Sequence, residues 1–386
     1  MKVLILTAYA PSLVNFRGPL ISELRGLGHE VHAGAPDLDE STRARVEALG
    51  CTTHETRMTR QGTGFRADIA YAKDLRALIR RIEPDLVLTY AIKPNIWGAF
   101  AAYAEGVRSV AMITGLGFAF SASDGDSPRT RLVKRIARTL YRRATDRNEA
   151  VIFQNHDDLR DFMVAGCLGE PRKAGLVDGS GVDLEHYRPA PLPDAPIFLM
   201  VARVIGAKGV QEYAQAALAV RTTHPYARFQ LLGFIDGGPD AIDPDIFAHW
   251  TSDVLEYVGH VEDVRPFLAG CRVFVLPSRY REGVPRSTLE ALATGRPVIT
   301  TDAPGCRETV IDGENGFLVP VRDPDAIAAR MHWLLDHPDD CERMAQASLA
   351  LARTRFDVER VNAILLDHLG LARGGAPQAR REAIAS

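Results

Sequence analysis

Pro277 to Thr301 reads PSRYREGVPRSTLEALATGRPVITT. A short apolar run, Val273 to Leu276, precedes it, and the periodicity predicts a helix and then a second strand at Val298 to Thr301. Two glutamates stand eight positions apart, Glu282 before a Gly-Val-Pro turn and Glu290 a little more than one turn into the helix. A loop carboxylate, the free N–H groups of a helix start and a second carboxylate suit a ligand with phosphate at one end and hydroxyls beside it. Glu290 lies within Leu289 to Ala293, otherwise apolar, so a buried carboxylate there needs a partner, and ribose hydroxyls would serve.

Working outward, the same strand–helix alternation fills the chain. On the N-terminal side it gives strands at Val3 to Thr7, Val31 to Ala35, Leu86 to Thr89, Val107 to Thr114, Val151 to Gln154 and Ala174 to Val177. After a Gly- and Pro-rich stretch, GSGVDLEHYRPAPLPDAP, it restarts at Ile197. The fold class is α/β, with two doubly wound, Rossmann-like parallel sheets in tandem and ligands beyond the strands' carboxyl ends. The boundary is expected near Pro189: an acceptor domain over 1–188, a donor domain over 189–372 facing it across a cleft, and a frayed tail over 373–386. At 386 residues, two domains are the natural expectation.

The formal net charge of −3 argues against a general nucleic-acid binder. The positive excess is concentrated before Arg188, above all in Arg129 to Arg147. There Leu132, Val133, Ile136, Ala137, Leu140, Tyr141 and Ala144 form a helical stripe, with Arg131, Lys134, Arg135, Arg138 and Arg142 around it. A solvated basic face is the ordinary reading; the sharper one is a face toward an anionic membrane surface, the apolar stripe packing inward. Five scattered cysteines without a CxxC pair fit a reduced, cytoplasmic compartment. No apolar run is long enough to span a bilayer, so membrane contact is expected to be peripheral, at the inner face of the cytoplasmic membrane.

Past the strand at Ile197 come Arg203 and Lys208-Gly209, two cations across a turn that can converge on a diphosphate. Together with Glu282 and Glu290, this set resembles the retaining GT-B glycosyltransferases of family 4, with GSGVD at Gly179 to Asp183 matching their crossover. The resemblance implies that Arg203 and Lys208 hold the donor diphosphate and Glu290 the ribose. It places Glu282 and the backbone of Gly283, Val284 and Pro285 against donor sugar and phosphate, and the base near His260 and Val261. NFRGPLISEL, TYAIKPNIWG and ITGLGF further resemble bacterial enzymes that extend undecaprenyl-diphosphate-linked sugars. Arg17, Gly18, Lys93, Asn95, Thr114 and Gly115 would then line the acceptor side. Many family members carry a histidine where this chain has Thr114-Gly115.

The resemblance implies a UDP-sugar donor, no metal and no other cofactor. With no glycosidase-like carboxylate pair, retention is expected by a front-face route, with Glu282, Arg203 and Lys208 as the catalytic set. Two alternatives keep the fold, a sugar-nucleotide 2-epimerase and a non-catalytic nucleotide-sugar-binding subunit. A dinucleotide oxidoreductase is disfavoured because neither first strand is followed by GxGxxG.

Overall fold

Runs of four to six mostly apolar residues become strands covered on both faces, which is why they lack the alternation of a half-exposed sheet. In the computed structural model, which describes residues 1–58, 65–117, 120, 127–238 and 240–372, thirteen strands, most of them of this kind, form two parallel sheets. The first contains β1 (Lys2–Leu6), β2 (Glu30–Ala35), β3 (Thr52–Glu55), β4 (Leu86–Tyr90), β5 (Arg108–Ile113), β6 (Ala150–Phe153) and β7 (Ala174–Leu176). Their order is β3-β2-β1-β4-β5-β6-β7. The second contains β8 (Ile197–Val201), β9 (Arg228–Leu232), β10 (Leu255–Gly259), β11 (Val273–Leu276), β12 (Val298–Thr301) and β13 (Gly316–Val319), in the order β10-β9-β8-β11-β12-β13. Each sheet reverses its winding once, between β1 and β4 and between β8 and β11. At such a point neighbouring loops diverge and leave room for a ligand.

The chain divides into two compact units, residues 1–180 with 359–386, and residues 181–358. The first therefore ends earlier than the Pro189 expectation and regains the last segment of the chain. The helix Val358–His368 supplies the reason. Val361, Leu365, Leu366 and the following Leu369 are buried in the same core as Val3, Val31, Leu88 and Val110. It is a core element of the first unit. The frayed-tail expectation for 373–386 lies outside the described residues.

The second unit closes over Phe198 and Phe229, stacked at 5.4 Å, with Tyr213 edge-on to Phe229 and its hydroxyl donating 2.9 Å to the Phe198 carbonyl. Arg296 is fully buried there. Its guanidinium donates to the carbonyls of Pro191 and Cys271 at 3.1 and 2.9 Å, and to those of Ala190 and Thr294. The Pro-rich stretch after Arg188 is thereby fixed to the second unit. All five cysteines are free, buried thiols. No helix among the described residues is long and apolar enough to cross a membrane.

Candidate functional site

The loops after β8 and β11, at the winding reversal of the second sheet, bring the predicted donor residues together. The β8 loop passes Arg203, makes one tight turn at Gly206–Lys208 and enters the helix Val210–Arg221 through Gly209. Gly209 has φ +80°, and a Cβ on it would stand 2.1 Å from the Pro277 carbonyl oxygen. Only glycine satisfies both the left-handed backbone and that approach. The two loops are tied by main-chain bonds, Arg279 and Tyr280 N–H donating to the Ala207 carbonyl at 2.8 and 3.1 Å.

Lys208 Nζ pairs with Glu282 Oε1, both side chains largely buried, and Ser278 Oγ donates to the same oxygen at 3.2 Å. Arg203 donates to Asp236 at 3.0 Å. One aromatic ring serves both cations: the Arg203 guanidinium lies 5.8 Å and Lys208 Nζ 5.5 Å from the centroid of Tyr280. Behind Glu282, burial and then the Glu282 charge push the Cys306 thiol up to about 12.

The helix Arg286–Thr294 begins at Pro285, which offers no side-chain acceptor to the first turn, so the partial positive charge of the helix start is not capped by its own N-cap residue. Glu290 is 8% exposed. Its partner, for which the sequence offered ribose hydroxyls, is already present: Arg286 Nε lies 2.9 Å from Glu290 Oε1. Burial first, then the Glu290 charge, hold the Tyr187 phenol above its usual range, so Tyr187 remains protonated beside that pair. Gly283, Val284 and Pro285 form the turn between the carboxylates. The Gly305 backbone (φ +79°) crosses so close that a Cβ there would sit 2.3 Å from the Gly283 carbonyl oxygen. His260 and Val261 follow β10; His260 is exposed and edge-on to Phe234 at 6.3 Å.

In the first unit, the loops after β1 and β4 flank the other winding reversal. Lys93 is half-buried and paired with Asp68 at 3.0 Å. Thr114 and Gly115 are half-buried beyond β5. Arg17 is 3% exposed, its guanidinium 5.2 Å from the Tyr90 ring centroid and 2.7 Å from the Met112 sulfur, and Gly18 is buried at the start of the next helix. Asn95 does not line a surface. It is 1% exposed, accepts from Thr89 Oγ1 at 2.7 Å and donates to the Met112 carbonyl at 3.0 Å, clamping the ends of β4 and β5. Phe118 lies outside the described residues.

The basic helix forms over Pro128–Thr145, but its faces differ from the expectation. Lys134 is 6% exposed, because it stands seven residues before Tyr141 and shares its inward face. It is not a membrane-facing cation. Leu132 and Ile136, expected inside, are 57% and 50% exposed beside exposed Arg131 and Arg135. Arg142 is exposed and donates to the Gly166 carbonyl at 3.0 Å, while Arg138 covers the Phe120 ring at 5.2 Å. Among the described residues no three His, Cys, Asp or Glu side chains gather as a metal site.

Asp236, Tyr280, Tyr187 and Ser278 join the site without having been anticipated. Only Asp236 carried a signal, a Gly-rich loop (Asp236-Gly237-Gly238) following a strand.

Comparison with known proteins bears on the fold and the family. Residues 17–172 match the glycosyl transferase 4-like domain and residues 195–337 the glycosyl transferases group 1 family. The chain is 26% identical over 351 residues to the Campylobacter jejuni N,N'-diacetylbacillosaminyl-diphospho-undecaprenol alpha-1,3-N-acetylgalactosaminyltransferase, covering 87% of this chain and 90% of that one. It is 28% identical over 284 residues to the Escherichia coli UDP-Gal:alpha-D-GlcNAc-diphosphoundecaprenol alpha-1,3-galactosyltransferase, covering 67% and 70%. In structure it is similar to Anabaena HepE in complex with UDP, with a TM-score of 0.75 at 18% identity, covering 96% and 100%. The fold is GT-B. Two parallel doubly wound sheets, cations and carboxylates gathered at the second sheet's winding reversal, and family matches over both units make the chain a member of the group 1 and 4-like glycosyltransferases.

Proposed function

We propose that this glycosyltransferase moves a sugar, an N-acetylhexosamine or hexose, from a UDP-sugar to a polyprenyl-diphosphate-linked sugar in cell-surface glycan synthesis, with retention at the anomeric carbon. The observation that carries this reading is the convergence of Arg203, Lys208 and the start of the helix Arg286–Thr294 at the β8/β11 reversal. Two cations over one ring, and a helix start without a side-chain cap after the neighbouring strand, support a diphosphate site there. The two relatives named for transfer to diphospho-undecaprenol-linked sugars support the acceptor class.

In this reading the acceptor hydroxyl attacks the anomeric carbon on the face the diphosphate leaves. The bond from that carbon to the phosphate oxygen breaks, the new glycosidic bond forms, and the acceptor's proton passes to the departing diphosphate. Arg203, Lys208 and the Arg286 helix start stabilise the charge that develops on the leaving group, without a metal. Glu282, released from Lys208 when phosphate takes that cation, is free to accept from donor-sugar hydroxyls, and Glu290 stands ready for the ribose. Lys93, Thr114 and Gly115 are assigned to the acceptor, and the outward Arg131, Arg135, Leu132 and Ile136 to an anionic membrane surface.

The test is a panel of UDP- and GDP-sugars. One UDP-sugar should raise the melting temperature and be transferred to a polyprenyl-diphosphate sugar, with the product's anomeric configuration, read by NMR, matching the donor's. An inverted product or a GDP preference would refute the corresponding part. Activity should survive chelator, and strict dependence on Mg²⁺ would contradict the metal-free route.

A further inference from the structure

The amino ends of β5 and β6 lie on the edge of the first sheet opposite the loops discussed above. A cavity of about 490 Å³ opens there, lined by Arg108, Ser109, Arg147, Asn148, Arg172 and Lys173, with Glu149 at its side. Part of this basic cluster has an ordinary explanation. Arg108 donates to the Leu369 carbonyl at 2.6 Å, just past the last helix, and Lys173 donates to the Asp146 carbonyl at 2.9 Å, at the end of the basic helix. Cations complement helix carboxyl ends. Arg108 also pairs with Glu149 at 2.9 Å, and Arg172 and Lys173 share Glu170.

Two features exceed that explanation. Four cations (Arg108, Arg147, Arg172, Lys173) face two carboxylates (Glu149, Glu170), which leaves two positive charges at the cavity. Arg147 pairs with no carboxylate among the described residues; it lies 5.1 Å from the ring centroids of both Phe100 and Tyr103 and donates to the Arg143 carbonyl. The second feature is Asn148, 1% exposed, whose Nδ2 donates to Ser109 Oγ at 2.9 Å while its Oδ1 has no partner. A buried amide oxygen left unsatisfied is costly, and it asks for a donor from a ligand.

We propose that this cavity is a second ligand site, independent of sugar transfer, for a polyol phosphate. Arg147 and Arg172 take phosphate oxygens in the fork geometry guanidinium favours, and Asn148 Oδ1 accepts from a hydroxyl of the same ligand. Two sources share this chemistry, a soluble phosphomonoester of glycerol or a sugar, and the glycerophosphate diester headgroup of an anionic lipid.

Calorimetric titration of the full chain with glycerol 3-phosphate, glycerophosphoglycerol and inorganic phosphate distinguishes them. The monoester or the diester should bind, identifying the soluble or the lipid source, and inorganic phosphate should bind about tenfold more weakly for want of the hydroxyl. The exposed double variant Arg147→Ala/Arg172→Ala should lose at least about tenfold in affinity while UDP-sugar binding stays unchanged. Asn148→Asp, folded by circular dichroism, should lose a similar amount; should it fail to fold, the double variant decides. Absence of binding by all three probes, equal affinity for phosphate and polyol phosphate, or undiminished binding by the double variant would overturn the site.

Discussion

Lys208 and Glu282 form a largely buried pair, so removing either leaves the other without this partner. On the proposed donor assignment, Lys208→Ala should lower kcat/KM by roughly 10²–10³, since it would remove a donor to the leaving diphosphate and strand a buried carboxylate. Glu282→Gln should spare UDP affinity and lower turnover with the complete donor. Steady-state kinetics and UDP titration on both variants separate these effects, and near-normal turnover in Lys208→Ala would contradict the assignment. A different residue sets an acid limit. His54 is held down to about 4 by burial first and then by His32, Arg81 and Arg43. Its Nε2 lies 2.9 Å from His32 Nδ1, and Arg81 lies 3.3 Å from its Nδ1. The unfolded chain protonates this imidazole near its ordinary 6.5, the folded chain near 4. Its contribution is therefore complete above 6.5 and is lost as pH falls through that window. Replacing His54 with Gln should flatten the fall in urea midpoint between pH 6.5 and 4.

At the scale of elements, the helix Pro128–Thr145 turns two large apolar side chains outward among arginines. If these enter a headgroup layer, Leu132→Gln/Ile136→Gln should reduce sedimentation with anionic vesicles several-fold at unchanged UDP affinity, a loss of apolar burial of about 1.5–3 kcal/mol per side chain at most. Unchanged sedimentation would make this an ordinary solvated face. The same helix shows where the sequence was ambiguous. Its apolar positions span more than one face, so the stripe could be rotated, and the buried side took Lys134 in place of Leu132 and Ile136. A strand buried on both faces, such as β11 (VFVL), was legible to the residue, because a continuous apolar run suits it. β3 was not, since Thr52–Glu55 is a polar edge strand paired only to β2. The short helix Arg265–Gly270 has too few turns to show a period. In the candidate site, Arg203, Lys208, Glu282 and Glu290 were singled out by their spacing together with the family resemblance, and the structure pairs Lys208 with Glu282. Tyr280 and Asp236 were not, because what matters about them is which cation they meet across two loops.

For the whole molecule, the last helix completes the core of the first unit. Val361, Leu365, Leu366 and Leu369 are each at most 3% exposed, and their burial is worth about 6–12 kcal/mol together as an upper bound. A chain ending at Asp357 should therefore keep a protease-resistant second unit while the first becomes sensitive to limited proteolysis. Equal resistance of both units would show that the first core stands without that helix.

That return of the chain also orders its birth on the ribosome. The second unit is one unbroken stretch, Gly181 to Val358, and can condense as soon as it emerges. The first, although synthesised earlier, lacks a wall of its core until the residues after Val358 have been made. Translation therefore leaves the half made first waiting longest, an inversion of the usual N-to-C order of domain folding. Through that interval its unfinished apolar face is the surface on which chaperones would act.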